Sequence, residues 1–165
     1  MIVREERPAD RNAIYVLTRA AFAGAPHSDG SEHRIVERLR AAGALVLSLV
    51  CEEDGAIVGH SAFSPVAIEP AADGWFGLGP ISVLPERQGQ GLGRRLMEAG
   101  IDAMRRAGAK GIVLLGAPEF YGKFGFANMP DLVLPDVAPQ YFLCLPLSGP
   151  PASGIVAYHP AFYGG

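Results

Sequence analysis

The apolar positions along the chain change their period several times, and each change marks an element. Ile2 to Glu5 reads as a short strand. Pro8 suits a first helical turn, and Ile14, Leu17 and Ala21, with Val16 and Ala20 beside them, recur at helical spacing as far as Phe22. A loop from Gly24 to Gly30 follows. Ser31 suits an N-cap, and Ile35, Val36 and Leu39 predict a second short helix that closes at Gly43. Leu45 to Cys51 has strand character. Asp54-Gly55 is the strongest short hairpin signal in the chain. Ile57 to Ile68 continues as the partner strand, with Pro65 marking an edge or a bulge.

After a loop from Glu69 to Gly74, Trp75 to Leu84 reads as a strand containing Gly77, Gly79 and Pro80. Pro85 to Gly93 then leads into a helix that runs to about Ala107. Leu92, Leu96, Ala99 and Ala103 form one stripe of it, with Met97, Ile101 and Met104 beside them. Gly108 closes it as a C-cap. Gly111 to Gly116 is continuously apolar, the pattern of a strand covered on both faces. Pro118 begins a short helix to about Lys123, and two late strands are expected near Phe126 and at Tyr141 to Leu147. With no repeat and no dividing linker, the order predicts one mixed domain of helices and strands over residues 1–165.

Composition narrows this further. In 165 residues, 49% hydrophobic and 19% charged, the chain has the balance of a globular protein. Its 21 glycines and 14 prolines exclude a helical bundle. A net charge of −3 argues against a nucleic-acid partner. Cys51 and Cys144 have neither metal spacing nor a disulfide framework, and each reads as a small buried hydrophobe. Met1 to Arg7 lacks an apolar targeting segment, and the apolar run from Ala44 to Cys51 is too short to span a membrane. A soluble cytoplasmic protein is expected.

Candidate chemistry centres on Gly89-Gln90-Gly91-Leu92-Gly93, between a strand and a helix. Glycines allow close backbone approach and positive φ, and free N–H groups at a helix start form an anion site. Arg94 and Arg95 follow, and cations in a first helical turn oppose the helix dipole unless an anion joins them. A tight turn with solvated arginines explains the same pattern equally well. A Walker A loop would need a terminal Gly-Lys-Ser/Thr, which is missing. A dinucleotide fingerprint would need GxGxxG at the first strand and a later ribose acid, and the fit is poor.

Gln88-x-x-Gly91-x-Gly93, after Ile81-Ser82-Val83-Leu84-Pro85, resembles the acyl-CoA signature of the GNAT (GCN5-related N-acetyltransferase) superfamily. Phe120-Tyr121-Gly122-Lys123-Phe124-Gly125-Phe126 resembles the family's later motif, a short helix with a tyrosine followed by a turn. Leu78 to Pro85, with Tyr158-His159-Pro160-Ala161-Phe162, is similar to the YhbS-like branch of predicted acetyltransferases. The likeness spans nearly the whole chain. It implies an α+β fold, with a mixed, mostly antiparallel sheet flanked by helices and its central parallel strands splayed. The implied activity is transfer of an acetyl group from acetyl-CoA to a primary amine, by direct attack in a ternary complex and without a metal. The acceptor would be a small molecule or a peptide. An acyl-CoA sensor with a degenerate site is the alternative.

The same resemblance implies roles for individual residues. The backbone of Ile81, Ser82 and Val83 would line the thioester and pantetheine, where a positioned N–H stabilises the charge developing on an attacked carbonyl. Gln88, Gly89, Gln90, Gly91, Leu92, Gly93 and Arg94 would cradle the pyrophosphate, while Arg87 and Arg95 read as surface charges. Tyr121 would protonate the departing thiolate. A carboxylate base on the Trp75 to Leu84 strand, common in the family, has no counterpart here. His27, Asp29, Glu32 and His33 surround the first inter-helix loop, which borders the acceptor groove in this fold, although each alone reads as a surface polar residue. A structural role suits His60. From Pro118 onward the chain holds 9 of the 14 aromatic residues, so this tail is expected to cover the acceptor side or form a homodimer contact, with ordinary packing the stronger reading.

Overall fold

The computed structural model describes residues 1–26, 28–70 and 72–164. The first strand, β1, is Ile2–Glu5; a 3-10 turn at Pro8–Asp10 then leads into α1 (Arg11–Phe22), and α2 is Glu32–Ala41. The meander comprises β2 (Leu47–Glu53), β3 (Ala56–Pro65), β4 (Ala67–Glu69) and β5 (Trp75–Val83). Then come α3 (Leu92–Arg106), β6 (Gly111–Leu115), α4 (Pro118–Tyr121), β7 (Leu132–Val133), β8 (Phe142–Pro146) and β9 (Gly154–Ala157). Six strands form one sheet in the order β1-β2-β3-β5-β6-β8. Its pairings are antiparallel except the central one, β5 with β6. The α+β architecture with central parallel strands is therefore as expected.

The two faces of this sheet are covered differently. Leu92, Leu96, Met97, Ile101 and Met104 of α3 are buried against Leu49, Cys51 and Phe63 on one face. Removing a leucine such as Leu96 from water contributes about 1.5–3 kcal/mol. Gly100 lets this helix approach, since a Cβ there would stand 2.6 Å from the Phe63 ring. Ile14 of α1 and Val36 of α2 pack with Val50 on the opposite face.

Two strand predictions need correction. Ile57 to Ile68 is not one strand: β3 stops at Pro65, and Ala67–Glu69 pairs with β9 in a separate sheet of order β4-β9-β7. Pro65 has no N–H to donate, so the chain leaves one sheet beside it and enters another. Near Phe126 there is a single bridge, Ala127 to Cys144, rather than a strand. The aromatic tail instead builds β8 on the edge of the main sheet, together with β7 and β9. Leu132, Phe142, Val156 and Tyr158 are buried there against Trp75, so the tail is core.

Gly111 lies so close to the buried Trp75 ring that a side chain at this position would collide with it. Gly111→Ala should cost about 1–3 kcal/mol. The urea midpoint should fall with the slope unchanged. An unchanged midpoint would show that the ring has room to yield.

Candidate active site

The site is built on an edge of β5 that has lost its neighbour. β5 pairs with β6 only over Trp75 to Gly77, opposite Gly111 to Val113. On its other side it stays paired with β3 as far as Val83. That ladder shifts register between Ser61 and Phe63, where Gly79 and Pro80 have no place of their own. Beyond the shift Leu84 donates its N–H to the Val58 carbonyl at 3.0 Å, and His60 faces Ser82. Backbone groups of an antiparallel strand alternate, so Ser82 turns its N–H and C=O to β3. Ile81 and Val83 turn theirs toward the gap beside β6. Gln88 enters this gap, donating its side-chain amide to the Val83 carbonyl at 3.2 Å.

The glycine loop follows directly. Gly89 and Gly91 have φ of 77° and 86°, in the left-handed region where a side chain is strained. Gly93 does not need that freedom and lies in the first turn of α3, 3.5 Å from Phe120 as measured from the position a Cβ would take. The first α3 amide with a backbone partner one turn back is Arg95, which donates to the Gly91 carbonyl at 3.2 Å. The N–H groups of Leu92, Gly93 and Arg94 precede it and are left without intrahelical partners. They point a helix N-terminus at whatever anion lies beside the loop.

The arginines divide by what they touch. Arg87 is held by Glu53 and by the Gln90 side chain at 2.9 Å each. Arg95 reaches the Met1 carbonyl at 3.4 Å. Arg94 is more than half exposed, with a long 3.4 Å contact to Glu98 and the Phe124 ring 5.6 Å beneath its guanidinium. It is the arginine best placed to swing toward a phosphate.

Tyr121, on α4, comes back over the end of β6. Its ring lies so tightly on Gly116 that a Cβ there would strike it. It packs edge-on to Phe120 at 4.9 Å and shares an apolar cluster with Ile81. Burial pushes its phenol above the ordinary value, so it is protonated at neutral pH. The structure thus gathers Ile81, Val83, Gln88, the glycine loop, Arg94 and Tyr121 around the gap. The Ser82 side chain is buried on the other face of the sheet, where its hydroxyl has no partner among the described residues.

Candidates for the acceptor side fare differently. His27 lies outside the described residues. Asp29 accepts from the Ser31 N–H and hydroxyl, at 3.0 and 2.6 Å, and Glu32 accepts from the Ser28 hydroxyl at 2.7 Å. Both carboxylates therefore shape the α1–α2 loop. His33 is not a surface residue: it is buried, with Tyr15 edge-on at 4.7 Å. Both cysteines are buried thiols. Among the described residues, no group of three or more His, Cys, Asp and Glu is arranged to hold a metal. No helix there is long and apolar enough to cross a membrane.

One cluster has no counterpart in the sequence reading. His60 is fully buried, and its Nε2 lies 2.8 Å from the Ser48 hydroxyl. Ser48 donates to Glu6, whose carboxylate takes two further hydrogen bonds from Arg40 at 3.0 and 3.1 Å. Burial pushes the His60 imidazole down to about 4. Burial alone would raise the Glu6 carboxyl, but hydrogen bonds from Arg40 and Ser48 outweigh it and hold it below the usual range. Glu6, Ser48 and His60 come from three separate segments, and only the strand register brings them together.

A family model described as Acetyltransferase (GNAT) family matches residues 11–126. The uncharacterized N-acetyltransferase YhbS of Escherichia coli K12 is 39% identical over 127 residues, which cover 76% of this chain and 73% of that protein. A GNAT family acetyltransferase from Brucella melitensis, solved in complex with acetyl-CoA, is 48% identical with a TM-score of 0.87, covering 98% of this chain and 97% of that one. Escherichia coli YhbS, solved in complex with CoA, is 33% identical with a TM-score of 0.88, covering 98% of this chain and 91% of that one.

The buried imidazole makes stability depend on pH. Below the ordinary histidine value of 6.5 the unfolded chain binds a proton that the folded chain refuses until about 4. Stability should therefore fall as pH drops through this window, by up to about 3 kcal/mol from this group. His60→Gln should show a shallower loss of Tm between pH 6.5 and 4 than the wild type. Equal slopes would show that His60 does not stay neutral in the fold.

Proposed function

Because the chain belongs to the GNAT acetyltransferase family and is an acyl-CoA-dependent enzyme, we propose that it moves an acetyl group from acetyl-CoA to a primary amine by direct attack. The observation that carries this reading is the unpaired edge of β5, with the α3 N-terminus at one end of it and Tyr121 packed against Ile81. The whole chain is read as one acetyltransferase domain.

Each part then has a task. The N–H groups of Leu92, Gly93 and Arg94 bind the pyrophosphate, with Arg94 adding a cation once it leaves Glu98. Gln88 fixes the exit of β5. The freed N–H and C=O groups of Ile81 and Val83 take the amides of the pantetheine arm as a further strand would. At the reacting end a backbone N–H faces the thioester oxygen and stabilises the negative charge that attack places on it. The amine nitrogen bonds to the carbonyl carbon, the C–S bond breaks, and Tyr121 gives its proton to the sulfur. Burial keeps that phenol protonated until the thiolate forms beside it. The α1–α2 loop, shaped by Asp29 and Glu32, borders the acceptor.

Thermal shift should rank acetyl-CoA and CoA well above ATP and NAD. CoA-thiol release across an amine panel should then show turnover. Tyr121→Phe should lower kcat by at least about tenfold while the Kd for acetyl-CoA stays within about twofold. An unchanged kcat would remove Tyr121 from the chemistry. Gly91→Val should raise that Kd by about tenfold or more, because a β-branched residue does not hold the left-handed conformation. Unaltered binding would place the pyrophosphate elsewhere.

A further inference from the structure

The glycine loop has little of its own to hold it in one shape, since Gly89, Gly91 and Gly93 bring no side chains. Such a segment has many conformations open to it, and fixing one of them on binding costs affinity. Its surroundings nevertheless fix it on both flanks. On one, Gln88 donates to the Val83 carbonyl at 3.2 Å and ties the loop to the end of β5. On the other, a single guanidinium does the tying. Nη1 and Nη2 of Arg87 each stand 2.9 Å from one oxygen of Glu53, and its Nε donates to the Gln90 side-chain oxygen at 2.9 Å. The Gln90 amide nitrogen turns back to the Glu86 carbonyl at 3.3 Å. Gln90 stands between Gly89 and Gly91, so its side chain is the handle by which the loop is gripped.

Glu53 makes the grip a fixed one. It is the last residue of β2 and pairs with Ala56 across the turn at Asp54 and Gly55. These two residues have φ of 51° and 80°, as a tight two-residue hairpin requires. β2 itself lies between β1 and β3, so the carboxylate is mounted on the interior of the sheet. A carboxylate and a guanidinium meeting oxygen to nitrogen twice allow one relative orientation, which a lysine could not enforce. The pair adds little to the fold: its side chains are 32% and 25% exposed, and the hairpin is already closed by its own ladder. Its effect falls on the loop.

The alternative use of such an arginine is direct contact with phosphate. Nε, Nη1 and Nη2 of Arg87 are all engaged, whereas Arg94 has one side-chain contact at 3.4 Å. Moving Arg87 to a phosphate would break all three contacts and leave the Glu53 carboxylate bare beside an anion. We propose that Glu53 and Arg87 are positioning residues for the acyl donor. Together they hold Gln90, and with it the glycine loop, in the conformation that receives the pyrophosphate, without touching the donor themselves. This rests on the reading above in which that loop binds acetyl-CoA.

Glu53→Ala decides by the sign of its effect. It removes a negative charge from beside an anion site, so electrostatics alone, or an Arg87 freed to meet phosphate, would tighten donor binding. Loss of the anchor should instead raise KM and Kd for acetyl-CoA by at least about threefold. The kcat at saturating donor should stay within about twofold of the wild type, as when binding alone is lost. Arg87→Lys keeps the cation but loses the fork and the Nε bond to Gln90, and it should act in the same direction. It decides the matter if Glu53→Ala does not fold. Combining the two should be no worse than the poorer single variant, because they break one unit. Amide exchange at Gly89 and Gly91 in the free protein should quicken in both. An unchanged or lower Kd in Glu53→Ala would overturn the proposal, and so would a fall in its urea midpoint with Kd unmoved. Failure of the wild type to bind acetyl-CoA would overturn the cradle itself, a result separable from variants that bind as the wild type does.

Discussion

Past Gly77 the strand β5 keeps its partner on one side and loses it on the other, and the rest of the site is arranged around that asymmetry. Backbone N–H and C=O groups demand partners wherever water is excluded. Pairing with β3 satisfies alternate residues and holds the strand straight enough to aim the others. Gly79 and Pro80 sit at the register shift, where proline has no N–H to give to a ladder. The glycine loop then starts within a few residues of the open edge, so the helix N-terminus and the freed strand lie side by side. β6, which diverges, carries the chain to Tyr121 on the far side of the same gap. In the proposed reading, this one divergence sets the spacing between phosphate cradle, acyl channel and acid.

The main sheet does two different jobs with its two faces. The α3 face is mostly hydrocarbon, with Leu49, Cys51 and Phe63 meeting the leucines and methionines of the helix and Ser61 adding a buried hydroxyl. This packing supplies the rigidity that a preorganised backbone edge needs. The α1 and α2 face buries Ser48, His60, Ser64 and Ser82 instead. Each costs stability unless hydrogen-bonded. Ser48 and one nitrogen of His60 are compensated through Glu6 and Arg40, whereas the other His60 nitrogen and the Ser64 and Ser82 hydroxyls have no partner among the described residues.

Much of this was legible in the sequence because the relevant signals are local. Gly89, Gly91 and Gly93 between an apolar strand and an amphipathic helix state their conformation within a few residues. Tyr121 was singled out by its motif context, and Pro65 marked a break, although not the change of sheet behind it. β4, β7 and β9 were missed because two to four residues are too few for a period to register. The Glu6–Ser48–His60 chain was missed for another reason. No spacing links its members, and only the pairing of β1 with β2 and of β2 with β3 makes them neighbours. Asp29 and Glu32 looked like free acceptor-side carboxylates, yet hydroxyls a few residues away occupy them, a competition that composition does not reveal.

Amide hydrogen exchange at three successive residues of β5 tests the central claim most directly. In the free protein the Ser82 amide should be strongly protected by β3, while those of Ile81 and Val83 exchange far faster. Acetyl-CoA should then slow Ile81 and Val83 and leave Ser82 little changed, because the donor takes the place of the missing strand. Equal protection of all three amides before the donor is added, or no response of Ile81 and Val83 to it, would contradict the account.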